Sequence, residues 1–167
     1  LLNKENVVAD DVYYLPAGRV HTIGKGLLIA EIQQTSDVTY RIFDFDRLDK
    51  DGNSRELHVE EAIDAIDYNF YDQYKTSYDR SSDHTKLVES DYFITNRILT
   101  EKILPLDYSQ LDSFKILMVL DGKGSLDSDL GSSTYQGGDT FLIPACMDLL
   151  SINPEKKSKI LEVYLPS

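Results

Sequence analysis

Only one stretch of this chain carries helical periodicity, and it lies between two blocks of short strand-like segments. Val59, Ala62, Ile63, Ile66 and Phe70 recur at helical spacing, with Glu60 and Glu61 where a helix dipole favours acid. The spacing predicts a helix over 59–70. Upstream, residues 12–15, 27–34 and 38–45 are rich in β-branched and aromatic side chains, punctuated by Pro16-Ala17-Gly18, Gly24, Gly26 and Asp51-Gly52. Downstream, the pattern returns over 91–100, 114–120, 140–143, 148–152 and 159–165. A lone helix among so many strands cannot make the strand–helix–strand alternation of a doubly wound sheet. The expected class is all-β (mainly β), as an antiparallel sandwich or barrel.

The run YDQYKTSYDRSSDHTK at 71–86 is polar throughout and reads as a linker or long surface connection. The expected organisation is therefore a first unit over 1–70, a linker over 71–86 and a second unit over 87–167. An internal echo supports two related units. Asp11-Val-Tyr-Tyr-Leu-Pro16-Ala17 matches Asp139-Thr-Phe-Leu-Ile-Pro144-Ala145, each a strand that stops at a proline corner. Five residues past the proline the first copy has His21 and the second has Leu149.

Charge narrows the function. Asp+Glu 29 against Lys+Arg 17 gives a net charge of −12, which excludes general nucleic-acid binding, because phosphate contacts need a basic face. No apolar run approaches the roughly 18 residues of a membrane span, and no basic segment precedes an apolar one as in a secretory signal. A cytoplasmic chain with no membrane partner is expected. The single cysteine, Cys146, excludes an internal disulfide framework and a cysteine-rich zinc site. The chain opens LLNKENVV, without Met and close to its first strand-like segment, which suggests a fragment of a longer protein.

Four residues could carry chemistry. His21 follows the Pro-Ala-Gly corner; it is either a surface or structural histidine, or an imidazole placed to meet a metal. Glu31 sits in the apolar run LLIAEI, so it either faces water or is buried and needs a partner. Arg41, between Tyr40 and Ile42, poses the same question; it could pair with Glu31 or hold a phosphate or developing oxyanion. Asp37 lies in the connection between those segments, as a turn residue would. Other signals fail. The register fixed by Gly52 puts Arg47 at the first calcium-ligand position and His58 where the bidentate glutamate belongs. Gly122-Lys-Gly124 lacks the spacing of a P-loop and reads as a turn. His84 falls in the polar run and is expected in solvent.

Residues 15–64, LPAGRVHTIGKGLLIAEIQQTSDVTYRIFDFDRLDKDGNSRELHVEEAID, closely resemble the type I mannose-6-phosphate isomerase family. The match is most specific in PAGxxHxIGxG, EIQQxSDxTYR and GxxRELH. The resemblance implies cupin (jelly-roll) barrels, with the helix joining the end of a catalytic cupin to a second, C-terminal cupin barrel. It implies a zinc-dependent enzyme of carbohydrate metabolism that interconverts mannose 6-phosphate and fructose 6-phosphate through a cis-enediol. Carried over by motif, His21 is a zinc ligand, Arg41 and Glu31 are active-site residues, and Asp37 lies near the substrate. The family's other metal ligands, in a QxH motif and a further glutamate, have no counterpart here. This chain therefore looks like a C-terminal half, expected to bind zinc poorly and to be inactive alone. The alternative is a non-catalytic cupin module that binds a sugar phosphate.

Overall fold

The computed structural model describes residues 2–36 and 38–166, which fall into two compact units: residues 14–74, and residues 2–13 together with 75–166.

Among the described residues, 14–74 contain one helix, α1 (Val59–Ala65), and one isolated bridge, Leu48 to Ser54. The helix expected to reach residue 70 stops at Ala65, because Ile66 is already extended (φ −67°, ψ 131°). Gly18 explains the stop. Its carbonyl accepts the Asp67 N–H at 2.9 Å, drawing the chain out of the helix. A Cβ on Gly18 would lie 2.6 Å from the Ala65 carbonyl oxygen, and its φ is +82°, so only glycine fits this crossing. The strands expected at 12–15, 27–34 and 38–45 are not formed. A strand is a paired object, and among the described residues these segments meet no ladder partner. Most of their apolar side chains stay in solvent; Leu28 is 100% exposed.

Residues 2–13 and 75–166 form a mainly-β, antiparallel unit of the expected cupin type. Its strands are β1 (His84–Glu89), β2 (Ile94–Thr100), β3 (Leu104–Asp107), β4 (Lys115–Ser128), β5 (Gly131–Gln136), β6 (Thr140–Ile143) and β7 (Leu149–Tyr164). They run in the order β1-β2-β7-β4-β5, with β3 on β7 and β6 on β4. Two long strands organise the rest. The first part of β4 pairs with β6 and the last part of β7, while its second part pairs with β5 and the first part of β7. β7 likewise meets β3 early and β2 late. The ladder between β4 and β7 slips between Val119 and Gly124, where the register shifts bend the paired strands within the one seven-stranded sheet. At that bend a Cβ on Gly122 would sit 2.2 Å from Ser158 Oγ, and one on Gly124 would sit 2.2 Å from the Asn153 carbonyl oxygen. Ile98, Leu117, Val119, Leu126, Ile152 and Ile160 fill the interior.

The sequence reading of 114–120 as a short strand and Gly122-Lys-Gly124 as a turn is corrected here: the glycines are the bend inside β4. Pro154 looks like a break between strands at 148–152 and 159–165. It sits instead within β7, opposite Gly124, at the slipped register that tolerates a missing N–H. The polar residues from Lys75 onward pin the N-terminal segment. Lys75 and Arg80 each reach the Asp11 carboxylate at 2.8 Å, and the Tyr78 hydroxyl donates to the Asp10 carbonyl at 2.6 Å. Asp11 is held at a pKa of about 2, chiefly by the Lys75 hydrogen bond.

Candidate functional site

Two of the three specific motifs of the first unit, ending in Tyr40-Arg41 and in Arg55-Glu56-Leu57-His58, lead into the two legs of one closed loop. At its tip, Asp49 Oδ1 accepts the N–H groups of Asp51 and Asn53 at 2.8 and 2.9 Å, and Gly52 takes a φ of +83°. This is a solvated hairpin turn, as the failed calcium-loop register suggested. Midway, Asp44 is buried and clamps both sides: Arg55 Nε donates to Oδ2 at 2.6 Å, Arg55 Nη2 donates to Oδ1, and Arg47 Nη2 donates to Oδ1 at 2.7 Å. The Arg55 hydrogen bond holds the Asp44 carboxyl below its ordinary pKa against the opposing effect of burial.

At the base of the loop, the His58 N–H donates to the Arg41 carbonyl at 2.8 Å, and the Arg41 N–H donates to His58 Nδ1 at 3.2 Å. Arg41 Nη1 donates to the Glu56 carbonyl at 3.1 Å. Three arginines therefore sit in one loop with different commitments. Arg47 and Arg55 are neutralised by Asp44. Arg41 is half-buried, tied down through neutral acceptors only, and has no carboxylate partner among the described residues. Its charge is available to an anion.

The other candidates are less gathered. Glu31 is exposed and makes neither hydrogen bond nor ion pair among the described residues, so the pairing with Arg41 that the sequence allowed is not formed. His21 is exposed, with Nδ1 2.9 Å from the Arg19 carbonyl. A carbonyl can only accept, so Nδ1 carries the proton and Nε2 presents its lone pair, the tautomer a metal ligand needs. Arg19 itself donates to the Tyr14 carbonyl at 3.2 Å and lies 4.3 Å from the centre of the Tyr71 ring. Asp37 lies outside the described residues. Among the described residues no three His, Cys, Asp or Glu side chains converge as a metal site. His21 has the free nitrogen a metal ligand needs, and among the described residues no further ligands join it.

A polar cluster that the sequence reading missed lies inside the β-rich unit. Glu162 is buried on β7 and accepts from Tyr108 Oη at 2.6 Å and Asn96 Nδ2 at 2.8 Å, with His84 Nε2 at 3.3 Å. His84 is exposed, as expected, and its Nε2 reaches this buried carboxylate from the surface. Lys115 is fully buried; its Nζ has no hydrogen-bond partner and lies 4.6 Å from the centre of the Tyr108 ring. The one signal that could have found this group is the charged Glu162 within the apolar run ILEVYL.

No family model matches the chain. Among curated proteins it is 34% identical over 147 residues to mannose-6-phosphate isomerase ManA of Bacillus subtilis (strain 168), covering 86% of this chain and 46% of that protein. It is also 34% identical over 146 residues to mannose-6-phosphate isomerase of Streptococcus mutans, again 86% of this chain and 46% of the relative. The chain thus spans about half the length of the curated relatives it matches. The crystal structure of mannose 6-phosphate isomerase from Bacillus subtilis superposes with a TM-score of 0.62 at 31% identity, over 78% of this chain and 41% of that one. A mannose 6-phosphate isomerase solved in a zinc-bound holo form shares the fold, with a TM-score of 0.54 at 14% identity over 69% of this chain and 29% of that one.

Proposed function

We propose that this chain, a relative of the mannose-6-phosphate isomerases along most of its length, is the C-terminal part of an enzyme that interconverts mannose 6-phosphate and fructose 6-phosphate. The observation that carries the reading is Arg41: a guanidinium on a family motif, fixed by neutral acceptors and with no carboxylate partner among the described residues. Aldose–ketose isomerisation moves a proton between adjacent carbons through a cis-enediolate, so negative charge develops on a sugar oxygen. Arg41 meets that charge in the transition state. Pre-oriented donors of this kind contribute about 3–4 kcal/mol to such steps. Glu31 supplies a carboxylate to orient or relay a proton, and Asp37 lies near the substrate. Lys25, on the loop after His21, adds local positive charge for the phosphate in an otherwise acidic chain. In the complete enzyme His21 donates one ligand to zinc through Nε2, and residues outside this chain supply the others. Bound zinc provides Lewis-acid polarisation of substrate oxygens.

The test is turnover by the complete protein encoded by the source gene. Conversion of mannose 6-phosphate to fructose 6-phosphate that chelation abolishes and zinc restores is expected. Arg41→Ala should lower kcat by about 10²–10³-fold with an unchanged unfolding midpoint. Absence of turnover in the folded, zinc-supplied protein would favour a sugar-phosphate-binding module instead. The isolated chain should show no tight stoichiometric zinc binding by calorimetry, since one imidazole is not a site; such binding would overturn the partial-site reading.

A further inference from the structure

We propose that His58 is a positioning residue for Arg41, acting through its imidazole Nδ1 in place of a backbone carbonyl. In a regular antiparallel pair, two facing residues exchange two backbone hydrogen bonds. Arg41 and His58 exchange only one, from the His58 N–H to the Arg41 carbonyl. The His58 carbonyl does not make the return bond; it accepts the Ala62 N–H at 3.0 Å and opens the first turn of α1. The imidazole takes over, accepting the Arg41 N–H at 3.2 Å. Two residues earlier on the same leg, the Glu56 carbonyl receives Arg41 Nη1 at 3.1 Å. The Arg55–Asp44 clamp holds that leg against the other. Arg41 is thereby fixed at its backbone and at its guanidinium by a single segment, Glu56 to His58, while its charge stays unspent.

The geometry also states which residues can stand at 58. Nδ1 must accept, so the neutral ring carries its proton on Nε2. Asparagine places a carbonyl oxygen near the position of Nδ1 and preserves an acceptor; leucine fills the space and offers none. Arg41 in the leucine variant keeps its charge and loses its backbone anchor. This inference rests on the isomerase reading for its catalytic consequence, and on hydrogen-bond geometry alone for the contact.

Four forms of the complete protein test it: wild type, His58→Leu, His58→Asn and the double variant His58→Leu/Arg41→Ala. The leucine variant should lose about 10–100-fold in kcat, with KM for mannose 6-phosphate changed far less, as expected of a displaced transition-state group. The asparagine variant should recover most of that loss. In the Arg41→Ala background the leucine substitution should cost nothing further, because two residues acting through one contact are not additive. Wild-type turnover in the leucine variant, or an equal loss in both backgrounds, overturns the proposal. A second readout is independent of turnover. Nitrogen-15 spectra of labelled histidine should show His58 unprotonated at Nδ1, and the Arg41 amide should exchange faster in the leucine variant. A protonated Nδ1, or an unchanged Arg41 amide, overturns it even if the wild type proves not to be an isomerase.

Discussion

Glu162 keeps its charge inside the barrel because three neighbours reach it. Burial pushes its carboxyl up, but the hydrogen bonds from His84, Asn96 and Tyr108 outweigh that and leave it below its ordinary value. The same contact raises the His84 pKa above its ordinary 6.5, against the smaller opposing effect of partial burial. The sign for stability follows from linkage. A raised histidine pKa stabilises the fold fully below the unfolded value and is lost as pH rises through the folded one. The depressed carboxyls of Asp11 and Glu162 act in the opposite sense and are lost as pH falls below about 4. The unfolding midpoint of this chain should therefore peak near pH 5–6 and decline above about 6.5. His84→Gln should flatten the upper decline in a thermal melt series while leaving the Asp11 share of the acid limb in place. Tyr108→Phe should cost about 1–3 kcal/mol in a denaturant titration, since it removes a donor from a buried carboxylate. Lys115→Met should be neutral or stabilising, because the thioether fills the same space without burying an ammonium that lacks a hydrogen-bond acceptor.

At the scale of elements, the glycines of β4 decide whether β4 and β7 can stay paired through their bend. Gly124→Ala would force a methyl to 2.2 Å from the Asn153 carbonyl and 2.8 Å from both Pro154 Cα and Tyr135 Oη. Two of those three atoms belong to the backbone, so the neighbours cannot simply rotate away. A loss of about 2–4 kcal/mol in chemical denaturation is expected, the upper range for a single substitution. The limits of sequence reading lie in the same place. Residues 140–143 were legible as a strand because an apolar run ends cleanly at Pro144. Gly122, Gly124 and Pro154 were misleading because residues that punctuate turns also build bends inside strands. The echoed Pro-Ala corners are similar in one respect: Arg19 donates to the Pro16 carbonyl at 3.2 Å and Met147 to that of Pro144 at 3.1 Å. The shared motif encodes a turn in both places, and only the second turn follows a paired strand. β1, β3 and β5 were missed because they are short, polar or proline-bearing sheet edges, where alternation is weakest.

Over the whole molecule, the two units differ in how their backbone is satisfied. Hydrogen exchange on this chain should show the central amides of β2, β4 and β7 protected to the level of global unfolding, and those of residues 27–45 exchanging fast. Protection over 27–45 would show that this segment finds a ladder partner in solution. The candidate site was legible to the extent that motif resemblance picks out His21, Glu31, Asp37 and Arg41. It was not legible that Arg47 and Arg55 are spent on Asp44 while Arg41 is not, because that distinction depends on which carboxylate the loop closes upon. The role of His58 was hidden for a related reason: residue type alone does not say that an imidazole will replace a carbonyl.

The position of β7 in the chain has a consequence for how the barrel is made. It follows β1 to β6 in the chain, yet it supplies the ladder for β2, β3 and β4 alike, with partners as distant in sequence as Ile94 and Tyr164. As the chain leaves the ribosome, β1 can pair with β2, and β4 with β5 and β6, but those pieces have nothing to join them. Closure of so non-local a structure waits for residues 149–164 and is correspondingly slow. Until then the apolar faces of β2 and β4 stand open, and the nascent chain depends on whatever shields them.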